Sequence, residues 1–235
     1  MAIALGVRPR NCLLRAMSER DLAILKPGLE RVSLDMRMNL QLPGRPIERV
    51  YFPESAIASV VAIAGDHSRS EIGLVGYEGV SSLAVILGDR RSPHEIFIQL
   101  PGSGFQLPAD LLAAGMESSP SLRRLMLAYA HAFAIQIAWT ALANARLKLE
   151  GRLARWLLMS LDRAEGDELP LTHEFISVML GVRRPGVTVA LQILEGRGLI
   201  RAVRSRIHIL DREGLEESAK GFYGTPESEY RRLIG

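Results

Sequence analysis

One stretch of the chain carries polar side chains that suit contact with the edges of DNA bases. Arg184, Thr188 and Gln192 recur at every fourth position, and Arg183 comes directly before them. A spacing of four places the three on one face of a helix. Arginine can bridge O6 and N7 of guanine, glutamine can pair with adenine, and the threonine methyl group can contact that of thymine. The four residues therefore predict a helix that reads bases in the major groove.

A second basic group follows in a predicted hairpin. Arg201, Arg204 and Arg206 occur where apolar and polar residues alternate, which is a half-exposed strand pattern. Residues 183–206 contain six arginines and one acidic residue, although the whole chain carries a net charge of only +3. Arginines on such a hairpin suit phosphate contacts. Arg204 and Arg206, together with Thr172 upstream, are the predicted phosphate-binding residues.

Two short helices and a turn must position these side chains. Thr172 is a favourable N-cap for the first helix, and Gly181 can end it because glycine adopts positive φ without penalty. Pro185 suits the first turn of the second helix. Helix, glycine turn, helix and basic hairpin together predict a winged helix-turn-helix. Periodicity predicts the buried face of the second helix, which consists of Val187, Ala190, Leu191 and Leu194.

Two other interpretations fit the same stretch. A helical hairpin with one apolar face also occurs as plain protein core, and surface arginines often only contact water. The alternative function is a ligand-sensing or protein-interaction module whose winged helix binds a partner protein. Strong, salt-dependent affinity for duplex DNA would separate this module from a DNA-binding protein.

Composition limits the remaining classes. The 235 residues suffice for one large domain or two of ordinary size, and 48% hydrophobic with 23% charged residues indicates a folded core. Cys12 is the single cysteine, which excludes a disulfide within the chain and a four-cysteine metal site and predicts a reducing, cytoplasmic setting. P-loop, GxSxG and HExxH motifs are absent, and the five histidines form no haem motif. We therefore expect neither an enzyme nor a metal site.

A long apolar helix is predicted from about Ser121 to Leu147. Its uncharged centre, residues 125–143, has 19 residues and could cross a membrane, but seven of them are alanine. We therefore expect a helix that is buried by its own domain on one side and by a second copy of the chain on the other, in preference to a membrane-associated sensor. A 3-4 spacing predicts the seam between the copies, formed by Leu122, Leu125, Tyr129, Ala132, Gln136, Trp139 and Ala143.

The segment before that helix contains short β-type runs. Residues 10–29 have a helical pattern, with Ser18 as an N-cap. From Val32 to about Leu107, apolar runs alternate with turns such as Pro43-Gly44. Short strands at close spacing predict a sandwich or barrel of antiparallel strands.

Three segments together carry a resemblance to a known family. They are GYEGVSSLAVILGDRRSP, the long apolar helix, and LTHEFISVMLGVRRPGVTVALQILEGRGLI with its basic hairpin. Over nearly its whole length the chain resembles the Crp–Fnr family of bacterial transcription regulators. The resemblance implies an α+β fold: an antiparallel, jelly-roll-like β-roll sensor domain (residues 1–118), a dimerisation helix (119–148) and a winged helix-turn-helix domain (149–235). It also implies a homodimer on an inverted-repeat DNA site and RNA polymerase as a further partner.

The resemblance also implies an effector site in the β-roll. In the family a Gly-Glu pair holds the ribose of a cyclic nucleotide, and an Arg followed by Ser or Thr holds its phosphate. Here Val80 follows Gly79, and valine cannot accept the ribose hydrogen bond. An unidentified ligand, or none, therefore fits the sequence better than a cyclic nucleotide. The candidate effector residues are Glu78, Gly79, Arg90, Arg91 and Ser92.

Overall fold

The computed structural model describes residues 8–235, and its first elements are two short helices. These are α1 (Cys12–Ala16) and α2 (Glu19–Leu25). The predicted cap is confirmed, because the Ser18 hydroxyl accepts a hydrogen bond from the Asp21 amide at 3.1 Å.

Seven strands of the described chain then form two antiparallel sheets. Their bounds are β1 (Glu30–Leu34), β2 (Asn39–Gln41), β3 (Arg49–Pro53), β4 (Ile57–Ile63), β5 (Arg69–Val75), β6 (Glu95–Leu100) and β7 (Gly102–Pro108). The strand orders are β1-β7-β3 and β2-β6-β4-β5. Side chains such as Leu34, Phe52, Ile98 and Leu107 are fully buried in this part of the chain. The predicted antiparallel β-roll is confirmed.

Three helices accompany the β-roll. A single turn, α3 (Leu83–Ile86), lies between β5 and β6, and α4 (Ala109–Ser118) leads into the long helix α5 (Pro120–Arg146). The hydroxyl of Ser121 donates to both carboxylate oxygens of the buried Asp21, which ties the start of α5 to α2. Within residues 8–235, α5 is the helix long and apolar enough to cross a membrane, and here it packs against the β-roll and the C-terminal helix.

The remaining elements form the winged helix-turn-helix and a tail. They are α6 (Leu149–Leu161), β8 (Glu168–Leu169), α7 (His173–Leu180), α8 (Arg184–Gly196), β9 (Ile200–Val203), β10 (Arg206–Ile209), α9 (Arg212–Ser218) and α10 (Thr225–Ile234). The three strands form one sheet in the order β8-β10-β9. Although α10 lies within residues 149–235, it folds back on α5, where Tyr230 and Ile234 pack against the core of the β-roll.

The structure corrects the predicted seam on α5. Five of its seven residues, Leu122, Tyr129, Ala132, Gln136 and Ala143, are buried inside their own chain. The amide of Gln136 also bonds both the N–H and the carbonyl of Leu74 in β5, so it is committed to the β-roll. The prediction was wrong because α5 is apolar on more than one face, and the 3-4 spacing alone does not show which face the β-roll and α10 bury.

A different stripe on α5 is exposed. It has the same 3-4 spacing but consists mainly of alanine: Arg124, Leu127, His131, Ala134, Ala138, Ala141 and Ala145. Small side chains allow two helix backbones to approach closely, while the 3-4 spacing keeps the stripe on the line of contact. We refer to these seven residues as the alanine stripe.

Candidate DNA interface and effector cavity

The local signals of the helix-turn-helix are present as predicted. The hydroxyl of Thr172 accepts from the Phe175 amide at 3.1 Å and caps α7. Gly181 ends that helix with φ +61°, in the left-handed region that glycine adopts readily. Pro185 occupies the first turn of α8, where its missing N–H costs no helical hydrogen bond. These three residues fix where α7 begins and ends and where α8 begins.

The second helix of the motif, α8, buries one face and leaves the other open. The predicted core residues Val187, Ala190, Leu191 and Leu194 are all buried. On the outer side Arg183, Arg184 and Gln192 are exposed. Among residues 8–235, neither Arg183 nor Arg184 has a carboxylate within ion-pair distance. Both guanidinium groups therefore remain available for an acceptor outside the chain.

Thr188 is placed differently from its neighbours on this face. It is half-buried, its hydroxyl lies 3.0 Å from Nδ1 of His173, and it also donates to the carbonyl of Arg184. The hydroxyl is thus engaged within the domain, and only the methyl group is left for a base contact. His173, at the start of α7, therefore links this helix to α8.

The arginines of the hairpin have unequal surroundings. Arg206 forms an ion pair with Glu168 at 2.7 Å, across the β8–β10 contact. Arg204 lies in the turn beside Ser205, which has φ +58°, and within the described chain it has no carboxylate partner. The acidic residue of the segment, Glu195, accepts a hydrogen bond from the Ala202 amide at 2.9 Å and joins α8 to β9. Arg204 is therefore the better-placed cation for a phosphate.

A cavity of about 350 Å³ lies between the β-roll and α5. Of the predicted effector residues, Arg91 and Ser92 line it. The other three are elsewhere: Arg90 pairs with Asp110, and Glu78 pairs with Arg163 at 2.7 Å. Gly79 lies against Tyr129, where an added Cβ would clash with the phenol oxygen. The structure therefore separates the five residues and keeps only the phosphate half of the predicted cassette at the cavity.

Comparisons with known proteins agree with the helix-turn-helix and with the fold as a whole. Residues 151–218 match the family model described as a Crp-like helix-turn-helix domain. This segment is a Crp-like helix-turn-helix domain, which we refer to as the Crp-like domain. A search of curated proteins found no match. The family model confirms the predicted resemblance to the Crp–Fnr regulators for this domain, and solved structures confirm it for the fold. The regulators of this family are not enzymes.

Three solved structures illustrate the likeness in fold. A Crp/Fnr-family protein from Eubacterium rectale is 17% identical, with 89% of this chain and 98% of that chain covered and a TM-score of 0.70. FixK2 from Bradyrhizobium japonicum is 18% identical, with coverage of 80% and 96% and a TM-score of 0.69. A CRP/FNR-family transcriptional regulator from Thermus thermophilus is 21% identical, with coverage of 82% and 99% and a TM-score of 0.65.

The Crp-like domain is docked on the β-roll of its own chain. Nε1 of Trp156 in α6 donates to Glu71 of β5 at 2.7 Å, and both side chains are buried. The rings of Phe97 and Phe175 meet edge to face at 6.3 Å between centroids. Burial raises the pKa of Glu71 to about 8. This polar contact was missed from the sequence because an acidic residue in an alternating strand is normally a surface residue.

A second buried pair joins the Crp-like domain to the β-roll near the tail. Arg163, which follows α6, donates through Nε to Glu78 at 2.7 Å and through Nη1 to the carbonyl of Met159. The hydroxyl of Tyr230 in α10 donates to the carbonyl of Glu78 at 2.6 Å. Glu78 thus holds the domain and the tail in place, a role that its position in the sequence did not indicate.

Proposed function

We propose that the protein is a sequence-specific transcription regulator that binds duplex DNA as a homodimer. The observation that carries the proposal is the outer face of α8, on which Arg183, Arg184 and Gln192 are exposed and both arginines are without carboxylate partners in the described chain. Arginine and glutamine in this position can read guanine and adenine edges. Thr188 adds a methyl contact to thymine.

Phosphate contacts fix such a helix in the groove. Thr172 at the start of α7 and Arg204 at the tip of the wing are exposed on the same domain. Arg206 would contribute less than Arg204, because it must leave Glu168 before it can bind a phosphate. A cytoplasmic location follows from the proposed partner, and RNA polymerase remains an expected partner at the promoter.

The alanine stripe supports the dimer. Two copies of α5 that pair along it would be related by a two-fold axis, and their α8 helices would enter successive major grooves about 34 Å apart. An inverted-repeat site is the expected target. In this assignment residues 1–118 form the sensor domain, residues 119–148 form the dimerisation helix, and residues 149–235 form the DNA-binding domain. Helix α10 belongs to the last range but packs against α5 and the sensor domain. The cavity beside Arg91 and Ser92 is the proposed site of a small effector.

Selection from a pool of random duplexes tests this function directly. We expect the purified, ligand-free chain to retain an enriched inverted repeat with half-sites one helical turn apart. If the winged helix binds a partner protein instead, duplex DNA will be retained only weakly and without a common sequence. Repeating the selection at raised salt separates specific retention from general attraction to phosphate.

Substitution of Arg184 by alanine is the first prediction for the selected site. Loss of a bidentate base contact should weaken binding by about 1–3 kcal/mol and relax the preference at one base pair of each half-site. Fluorescence anisotropy with the selected duplex and its single-base variants measures both effects. The matched control is Arg197→Ala at the other end of α8, which removes the same charge from an exposed position. Equal losses in the two variants would contradict the assignment of Arg184 to a base.

The wing gives a second prediction, concerned with salt. Arg204→Ala should weaken binding to all duplexes alike and reduce the slope of log K against log salt by about 1, as expected for one lost phosphate contact. Arg206→Ala should change the slope less, because Arg206 is already paired with Glu168 and therefore contributes less to phosphate binding. Titrations at four salt concentrations with a selected and a scrambled duplex measure both slopes. A larger change for Arg206 than for Arg204 would reverse their assigned roles.

A further inference from the structure

Ser82 has an unusual conformation at the wall of the β-roll cavity. Its backbone has φ +65°, in the region that favours glycine, and its side chain is 4% exposed. The hydroxyl is buried and has no hydrogen-bond partner among the described residues. Both the positive φ and the unpaired hydroxyl cost folding free energy, and a glycine at this position would avoid both costs. Strain and an unpaired polar group together are typical of a functional position.

Gln41 faces the same cavity with a second unpaired atom. Its Nε2 donates to the carbonyl of His94 at 2.9 Å, which fixes the orientation of the amide. Gln41 is only 7% exposed, and its Oε1 is buried without a hydrogen-bond partner in the described chain. A buried carbonyl oxygen needs a donor. A bound molecule that carries a hydrogen-bond donor would satisfy this oxygen.

The rest of the wall is mainly apolar and its interior carries no formal charge. Residues such as Val60, Ile72, Val80 and Phe133 form most of the surface. The two charged lining residues, Asp89 and Arg91, are exposed at the rim. His94 is half-buried, and burial lowers its pKa, so it is neutral near pH 7. An ionised group inside the cavity would therefore lose its water without gaining a counter-charge.

We propose that this cavity, which the proposed function assigns to the effector, binds an uncharged and mainly apolar small molecule that donates a hydrogen bond to Gln41 Oε1 and bonds Ser82 Oγ. A volume of about 350 Å³ falls within the range for small-molecule sites. The ligand would lie directly on Tyr129 and Phe133 of α5, opposite the alanine stripe, so occupancy can alter how two copies pair.

The same walls fit a cyclic nucleotide poorly. Val80, 1% exposed, lines the cavity where a ribose acceptor would be needed. Arg90 is directed to Asp110, so Arg91 is the one lining arginine left for a phosphate, and it lies at the rim. The hydroxyl of Ser92, which accepts from the His94 amide, keeps its O–H to donate but carries no charge.

Calorimetry with a matched pair of probes tests the ligand class on the full chain. The probes are 4-propylphenol, which has a hydroxyl donor, and 4-propylanisole, in which a methyl group replaces the hydroxyl hydrogen. We expect 4-propylphenol to bind about threefold to tenfold more tightly, which corresponds to one net hydrogen bond. Cyclic AMP should give no saturable heat at the same concentrations. Saturable binding of cyclic AMP with no binding of the phenol would overturn the proposal, and so would the absence of binding by all three.

Ser82→Gly distinguishes a ligand contact from a structural role. Glycine relieves the positive φ and removes the hydroxyl, so the melting temperature of the free protein should stay the same or rise, while the affinity for both probes should fall, because the oxygen of either probe can accept from Ser82 Oγ. Ser205→Gly is the matched control, because Ser205 also has positive φ but lies in the wing turn. An unchanged affinity for both probes in Ser82→Gly would refute the role of this hydroxyl. The duplex selection is independent of these titrations, so an enriched inverted repeat with no phenol binding would leave the proposed function intact and reject only the ligand class.

Discussion

Replacement of Ala138 by glutamate is expected to convert the proposed dimer to a monomer and to lower affinity for the selected inverted-repeat duplex by at least about 100-fold. Ala138 is exposed near the middle of the alanine stripe. At a two-fold axis one substitution brings two carboxylates together, and pairing would bury both without a cation. A monomer can occupy only one half-site at a time. Sedimentation equilibrium measures the mass, and anisotropy with whole-site and half-site duplexes measures the affinity.

Ala114→Glu is the matched control for this prediction. Ala114 is an exposed alanine on α4, outside the alanine stripe, and the substitution is chemically the same. It should leave both mass and DNA affinity unchanged. Affinity for a half-site duplex should be similar in all three proteins, because the face of α8 is untouched. A dimer of normal stability in Ala138→Glu would place the contact between copies on another surface.

The helix-turn-helix could be predicted from the sequence because its signals are local. Thr172 caps α7 by accepting from the amide three residues ahead, Gly181 ends that helix, and Pro185 lies in the first turn of the next one. Each effect depends on backbone groups within one helical turn, so the surrounding fold does not need to be known. The apolar spacing of α8 then fixed its buried face, and the exposed face followed as its opposite.

The exposed face of α5, which we propose as the dimer face, could not be predicted in the same way. The helix is apolar on nearly every side, so periodicity alone does not say which side meets the β-roll. Phe133 and Gln136 pack against Gly73, where an added Cβ would lie within 3 Å of both. Such contacts join residues about 60 positions apart in the chain, and they leave the alanines outside. Only the tertiary structure distinguishes these two faces.

Neighbouring residues among the predicted effector residues, which lie between Glu78 and Ser92, also point in different directions. Arg90 turns to Asp110 and Arg91 to the cavity, although the sequence offered either as the phosphate ligand. Gln41, which lies about 50 residues earlier on β2, reaches the same cavity through the pairing of β2 with β6. Ser82 is recognised only by its φ angle and its unpaired hydroxyl. The cavity therefore depends on strand register, which single-sequence patterns do not determine.

The contact between Glu71 and Trp156 gives the last prediction, a pH dependence of stability. Burial raises the pKa of Glu71 from 4.5 in the unfolded chain to about 8 in the folded one. The folded state therefore keeps a proton that the unfolded state releases above pH 4.5. The stability from this group is fully present below pH 4.5 and is lost as the pH rises through 8. At 1.36 kcal/mol for each pKa unit, the loss is on the order of 5 kcal/mol.

Glu71→Gln should abolish this dependence. Glutamine keeps a carbonyl oxygen for the indole N–H of Trp156 but cannot ionise. Urea unfolding from pH 5 to pH 8.5 should therefore show the free energy of unfolding falling for the wild type and nearly constant for the variant. Glu30→Gln, at an exposed carboxylate of β1, should follow the wild type. Parallel curves for wild type and Glu71→Gln would mean that Glu71 is ionised in the folded protein. The nearby Arg155 and Arg163 would then have to supply the compensating charge across the contact between the Crp-like domain and the β-roll.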